Sequence, residues 1–224
     1  VREEEQTVIR IAFRRLTEDD LPLMHRWLNT PHVMRWWNSG GQTMAEVQEK
    51  YLPCITGAAP TEPYLILCGG TPIGYIQTYR INHWPDYARH IGVDDDTAGV
   101  DLFIGEPEYI GRGLGPAAIR TFLCEVVFGS FDAGACVIGP SVENQGAIRA
   151  YTKAGFRFWK HADVPGEPTP EYLMRITAAD LAGSEPPADG AGSADGGEPR
   201  TQRGAGLDEA VGTGVRYSRE THTR

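Results

Sequence analysis

Residues Gly99-Val100-Asp101-Leu102-Phe103-Ile104 read as a strand, and Gly111-Arg112-Gly113-Leu114-Gly115 follows shortly after. Behind the glycines, Ile119, Phe122, Leu123, Val126 and Val127 recur at helical spacing. A strand that passes through a glycine turn into an amphipathic helix packs that helix back on the sheet it left. The chain is therefore held to α/β or α+β architecture. The glycines also leave the first N–H groups of the helix exposed, a place to cradle a phosphate. Two other phosphate loops do not fit. No Lys-Ser/Thr follows Gly115, as a P-loop requires, and no acid-terminated strand follows at the distance a dinucleotide fold needs.

Further strands and helices surround that unit. Residues 8–14 read as a first strand. Thr17, followed by Glu18-Asp19-Asp20, caps a helix that carries Leu21, Met24, Trp27 and Leu28 on one face. A short aromatic helix is expected over 32–37, and Thr43-Met44-Ala45-Glu46 is a capping box for a third that ends by Pro53. Residues 64–68 and 72–79 read as a hairpin turning at Gly69-Gly70-Thr71. Residues 80–97 read as an irregular loop rich in acids and aromatics. Residues 135–138, 156–160 and 172–176 read as strands, and 144–154 as a helix.

From Gly183 onward the composition changes. Residues 183–224 hold 9 of the 27 glycines, and their large apolar residues are Leu207, Val211, Val215 and Tyr217 alone. Such a segment cannot bury enough surface to offset the entropy of ordering. The expected organisation is a frayed start (1–7), one folded domain (8–182) and a disordered Gly/Pro/Ala-rich tail (183–224). The 224 residues carry 21 basic and 30 acidic side chains, net −9. The tail holds 7 of the acids and 5 of the bases, so most of the negative charge belongs to the domain. That balance argues against a nucleic-acid partner and suits a cationic ligand. No apolar run approaches the roughly 20 residues of a membrane span. Val1-Arg2-Glu3-Glu4-Glu5-Gln6 lacks the apolar stretch of a signal peptide. Cys54, Cys68, Cys124 and Cys136 have no metal or Cys-x-x-Cys spacing; they read as free thiols in a cytoplasmic protein without a metal site.

About thirty residues beyond the glycine loop comes Asn144-Gln145-Gly146-Ala147-Ile148-Arg149-Ala150-Tyr151-Thr152-Lys153-Ala154-Gly155-Phe156. Together with Ile110-Gly111-Arg112-Gly113-Leu114-Gly115, it resembles the GNAT superfamily of acetyl-CoA-dependent N-acetyltransferases, over about residues 8–180. The loop departs at its first position, with Ile110 in place of Arg or Gln. The Asn and the Tyr-x-Lys-x-Gly-Phe segment are complete. The resemblance implies a GNAT fold: a mixed, mostly antiparallel sheet of about six to seven strands flanked by helices, splayed beside the acetyl-CoA loop. Trp27-Leu28-Asn29, His32-Val33-Met34-Arg35-Trp36-Trp37, residues 47–53, Pro63-Tyr64, residues 72–79 and Gly99-Val100-Asp101 are, in addition, similar to the aminoglycoside 6′-N-acetyltransferases.

That similarity implies transfer of an acetyl group from acetyl-CoA to the 6′-amine of an aminoglycoside, a polycationic small molecule. Acetyl-CoA is then expected at Leu102, Phe103, Ile104, Gly111, Arg112, Gly113, Leu114, Gly115, Pro116, Asn144, Ala147, Tyr151 and Lys153. Asp101 is implied as the acceptor-side carboxylate and base. It lies in an otherwise apolar strand, so its charge needs a partner or a wet cleft. Tyr151 is implied as proton donor to the CoA thiolate, with a core aromatic as the alternative; Asn144 reads equally as a helix N-cap. The acceptor is expected at Trp36, Trp37, Tyr64, Trp84, Asp86, Asp101 and Glu167, carboxylates replacing lost ammonium hydration and aromatics walling a sugar ring. One of the Trp36/Trp37 pair is expected in the core, and Asp94-Asp95-Asp96 reads as a solvated loop. Gly139 stands where the resembled enzymes carry Asp, which implies a lost cationic contact. A monomer or homodimer is expected.

Three other readings compete. A siderophore-type lysine or hydroxylysine N-acyltransferase would present a His near the acceptor, and His83 and His90 are the candidates in that loop. Acetylation of protein N-termini is a weaker option. A non-catalytic GNAT domain would bind acyl-CoA or a cationic ligand, but the retention of Asp101 and Tyr151 favours an enzyme.

Overall fold

A computed structural model describes residues 10–37, 40–93, 96–164 and 169–183. Strands β1 (Ile11–Arg15), β2 (Thr61–Cys68), β3 (Thr71–Arg80), β4 (Thr97–Ile104), β5 (Ala135–Ile138), β6 (Arg157–Ala162) and β7 (Glu171–Thr177) form one sheet in the order β1-β2-β3-β4-β5-β7-β6. Every neighbouring pair is antiparallel except β4 and β5, which run parallel. The mixed, mostly antiparallel sheet expected from the sequence is present.

β4 is buried along its whole length, as the apolar run at its heart requires of a central strand. Its side chains alternate between two different cores. Ala98, Val100, Leu102 and Ile104 pack under α5 (Leu114–Phe122) and α6 (Gln145–Ala154). Phe103 points the other way, into an aromatic cluster of Trp27, Trp37, Tyr51 and Tyr75 that holds α1 (Leu21–Leu28), α2 (Pro31–Trp37) and α3 (Met44–Ile55). On that same face Tyr79, Tyr87, Ile91, Val137 and Leu173 form a third cluster, which seats α4 (Pro85–Ile91).

Several boundaries differ from the sequence reading. The supposed irregular loop at 80–97 contains a 3-10 turn (Ile81–His83) and α4. Two turns are too short for a convincing period, although Pro85 opens the helix and Tyr87 and Ile91 share its buried face. α3 continues through Pro53 to Ile55, the missing N–H falling in its last turn. The turn capped by Thr17 is 3-10: its N–H and hydroxyl donate to Asp20 Oδ2 at 2.9 and 2.7 Å. α5 widens after Phe122 into a π-type coil (Leu123–Ser130), in which the Phe131 N–H reaches back to the Val126 carbonyl at 2.7 Å. A last helix, α7 (Ala178–Gly183), reaches the expected domain boundary. The frayed start at 1–7 and, from 184 onward, the expected tail lie outside the described residues. Among the described residues no helix is long and apolar enough to cross a membrane.

In the α5 core Phe122 is fully buried, with Phe13 edge-on at 5.0 Å and Tyr64 at 5.2 Å. Phe122→Ala is expected to lower unfolding free energy by about 3–5 kcal/mol, read by urea denaturation.

Candidate active site

β4 and β5 stay paired for three residues only: Thr97 with Ala135, Ala98 with Cys136, and Gly99 with Val137. Past Gly99 the ladder stops, while β4 runs on to Ile104. This is the splay that the resemblance implied. Near the far end of β4 lies a cleft lined by Ile104, Tyr109, Ile110, Gly111, Gly113, Leu114, Gly115, Pro116, Gly146, Arg149, Ala150 and Lys153.

The glycine loop forms one wall of that cleft. Gly111 and Gly113 have φ of 75° and 73°, the left-handed region that L side chains avoid. A Cβ on Gly113 would meet nothing within 4 Å, so the demand for glycine there is conformational and the space beyond is open. Gly113 caps α5, whose first-turn N–H groups lack helical partners; Pro116 contributes none. The positive end of the helix therefore faces the cleft. Arg149 and Lys153, one turn apart on α6, add two cations to the lining. This donor set fits a diphosphate-bearing co-substrate such as acetyl-CoA.

Of the residues expected to hold acetyl-CoA, Ile104, Gly111, Gly113, Leu114, Gly115, Pro116 and Lys153 meet at the cleft. Leu102 and Ala147 lie in the core beneath it, and Phe103 lies on the opposite face of the sheet. The Arg112 guanidinium sits 5.7 Å from the centre of the Tyr109 ring. Asn144 Oδ1 accepts from the Ala147 N–H at 3.1 Å and so caps α6. Tyr151 is fully buried on α6, its ring 6.2 Å from that of Phe156. Arg149 was missed, although its i,i+4 spacing from Lys153 marks a cationic stripe. Tyr109, Ile110, Gly146 and Ala150 carry no such signal.

Asp101 faces the other side of the sheet and is 1% exposed. Gln77, opposite it on β3, donates from Nε2 to Asp101 Oδ2 at 2.8 Å. The amide oxygen of Gln77 accepts from the Tyr75 hydroxyl at 2.8 Å, which fixes the amide's orientation. The Tyr79 hydroxyl also bonds Asp101. Its ring lies over Gly99, where any Cβ would come within 2.5 Å of it, so glycine two residues before Asp101 makes room for that bond. Burial pushes the Asp101 carboxyl up to about 7 against the opposing pull of Gln77, Tyr79 and the Lys50 ammonium.

The remaining expected residues are scattered. Trp37 is a core residue, its Nε1 donating to the Tyr51 hydroxyl at 3.3 Å and its ring edge-on to Phe103 at 4.8 Å. Trp36 is half-buried under the Arg35 guanidinium, and Trp84 packs against the α4 cluster. Asp86 is exposed and pairs with Arg89 at 3.0 Å. Tyr64 departs from the expectation that it meets the acceptor. It sits opposite Ile76, so the alternation of β2 turns its ring toward α5 and Phe122, away from the face that carries Asp101. Asp96 pairs with Arg80 at 2.9 Å, and His83 and His90 are exposed. Glu167, Asp94 and Asp95 lie outside the described residues. Gly139 is not left without an acid beside it: a Cβ there would come within 2.5 Å of Glu171 Oε2. Glu171 was missed, though an acid opening an apolar strand is a visible signal.

The family model for the GNAT acetyltransferase domain matches residues 17–164. The chain belongs to the GNAT acetyltransferase family. It is 34% identical over 173 residues to aminoglycoside N(6′)-acetyltransferase type 1 of Klebsiella pneumoniae, covering 75% of this chain and 84% of that one. Its fold matches the crystal structure of aminoglycoside acetyltransferase AAC(6′)-Ib in complex with coenzyme A and kanamycin, with a TM-score of 0.69. That match has 30% identity and spans 78% of this chain and 99% of that one. A more distant relative is N(6)-hydroxylysine O-acetyltransferase of Escherichia coli, 25% identical over 140 residues, 62% of this chain and 44% of that one. Acetyl-CoA is the co-substrate of these acetyltransferases.

The raised Asp101 carboxyl has a thermodynamic consequence. Between pH 5 and 7 the unfolded chain has already released a proton that the folded protein keeps, so this group's contribution to stability falls as pH rises. Relative to wild type, Asp101→Asn is expected to gain about 2–3 kcal/mol of unfolding free energy between pH 5 and 8, measured by denaturant titration at each pH.

Proposed function

We propose that the protein transfers the acetyl group of acetyl-CoA to the 6′-amino group of an aminoglycoside by direct attack of the amine. The observation that carries this reading is Asp101: a buried carboxylate, poised near neutrality, beside the point where β4 parts from β5. An amine is protonated at neutral pH and cannot attack until it loses a proton. A carboxyl held near 7 is suited to take that proton, directly or through water. The similarity to aminoglycoside acetyltransferases on both sequence and fold supports this choice of acceptor.

Bound acetyl-CoA supplies an activated thioester. On its side, the first turn of α5 holds the diphosphate through backbone N–H groups, with Arg149 and Lys153 adding charge. The freed edge of β4 at residues 102–104 offers an N–H to the thioester oxygen, where negative charge develops. Tyr151 donates a proton at the departing sulfur. On the acceptor side, Asp101 meets the reacting ammonium while Gln77 and Tyr79 hold the carboxylate in place. The partly buried Trp36 and Trp84 and the exposed Asp86 are the further acceptor contacts of this reading.

The deciding experiment mixes purified protein with acetyl-CoA and kanamycin and follows free thiol, with lysine derivatives as controls. Turnover of kanamycin is expected; thiol release with lysine derivatives and with no aminoglycoside would overturn the reading. kcat/KM should rise with pH to a plateau above about 7, and Asp101→Asn should remove that limb and lower kcat by about 10²–10⁴. Tyr151→Phe should lower kcat by about 10², with both KM values changed little.

A further inference from the structure

We propose that Glu171, at the start of β7, is a second acceptor-binding carboxylate that takes another ammonium group of the polyamine, and so sets which amines the enzyme accepts. This deepens the aminoglycoside reading and rests on it. Gly99 and Val137 are paired, and both meet the cluster that contains Tyr79. Two residues further on, Asp101 and Gly139 therefore face the same side of the sheet, one on each bank of the break. Gly139 presents no side chain, and the space its Cβ would occupy is taken by the Glu171 carboxylate, 2.5 Å from that point. The carboxyl group on this bank thus comes from the neighbouring strand, β7.

Glu171 is held firmly. Its residue bridges Ser141, the following N–H of Tyr172 donates to the Pro140 carbonyl at 2.7 Å, and it is only 5% exposed. The Tyr87 hydroxyl, on α4, donates to Oε2 at 3.0 Å. A carboxylate fixed with little solvent contact is a strong site for an ammonium, because the cation does not have to displace a full hydration shell from it. Asp101 and Glu171 then set two carboxyl groups on one face, and a substrate with two or more amines matches them better than a monoamine.

Glu171→Gln tests this, since the amide keeps the size of the side chain and can still accept from Tyr87. Kinetics would be measured with kanamycin and acetyl-CoA, alongside thermal melting of each variant. The expected result is a rise of at least about tenfold in kanamycin KM, with kcat and the acetyl-CoA KM within about threefold of wild type. Gly139→Ala, whose methyl would meet Glu171 Oε2 at 2.5 Å and Leu173 Cδ2 at 3.0 Å, pushes the carboxylate aside and should raise kanamycin KM in the same direction. Gly139→Asp combined with Glu171→Val returns a carboxylate to the same bank and should recover most of the loss. An unchanged kanamycin KM in Glu171→Gln overturns the proposal, as does an equal rise for both substrates, which would mark a merely structural residue. These outcomes are separate from failure of the functional reading, in which the wild-type protein turns over no aminoglycoside and this role falls with it.

Discussion

Past Gly99 and Val137 the two central strands no longer bond each other, and the rest of the molecule is arranged around that loss. Buried backbone N–H and C=O groups without partners are costly, so a sheet does not open at its centre unless other forces hold it open. Here the apolar clusters do so. One face of β4 is clamped by α5 and α6, while the opposite face carries two separate clusters, one under α1 to α3 and one under α4. Asp101 lies on that opposite face, buried between Phe103 of the first cluster and the Tyr79 ring of the second. The glycine loop, the cleft and the buried carboxylate are thus consequences of one interrupted ladder.

Asp101 is bonded by the neutral donors Gln77 and Tyr79, and the Lys50 ammonium acts on it electrostatically. An arginine at this point would hold the carboxyl well below its ordinary range and occupy the oxygens that the proposed reaction leaves for an ammonium. Gln77 and Tyr79 offset part of the desolvation without supplying a full charge, which leaves the carboxyl near 7. Tyr75 matters at one remove, by donating to Gln77 and so turning its N–H groups toward the acid. The bareness of Gly99 belongs to the same arrangement, because a methyl there would dislodge the Tyr79 ring.

Local signals in the chain were read well where one residue determines the geometry. The Thr43 box, the Asn144 cap and the glycines before α5 all appear where the sequence placed them. The β4 run and the burial of its lone acid are equally legible, since Asp101 stands among Val100, Leu102, Phe103 and Ile104. What could not be read was which face a side chain takes relative to residues far away in sequence. The resemblance places Tyr64 at the acceptor, yet the register of β2 against β3 turns it to the α5 side. Glu171 opens an apolar strand, but its place beside Gly139, thirty-two positions earlier and just past the end of β5, is not written in the local sequence. α4 was lost in an apparent loop because its stability comes from packing on Tyr79, Val137 and Leu173 rather than from its own period.

The charge distribution follows from the same break. The chain is strongly acidic, yet the cleft before α5 and α6 is lined by Arg149 and Lys153 beside a helix N-terminus. The opposite face holds Asp101 and Glu171, both buried. In the proposed reaction one substrate is a polyanion and the other a polycation, and both must reach the same few ångströms of β4. Had they shared one approach, each would have competed for the other's binding groups. In that reaction an opened strand pair would let the two substrates meet from opposite sides of the sheet, with basic residues lining one side and carboxyl groups the other. In the proposed reaction the interruption of the sheet would serve selectivity as well as chemistry, because it brings the cation-lined cleft and the face that carries Asp101 and Glu171 to the same stretch of β4.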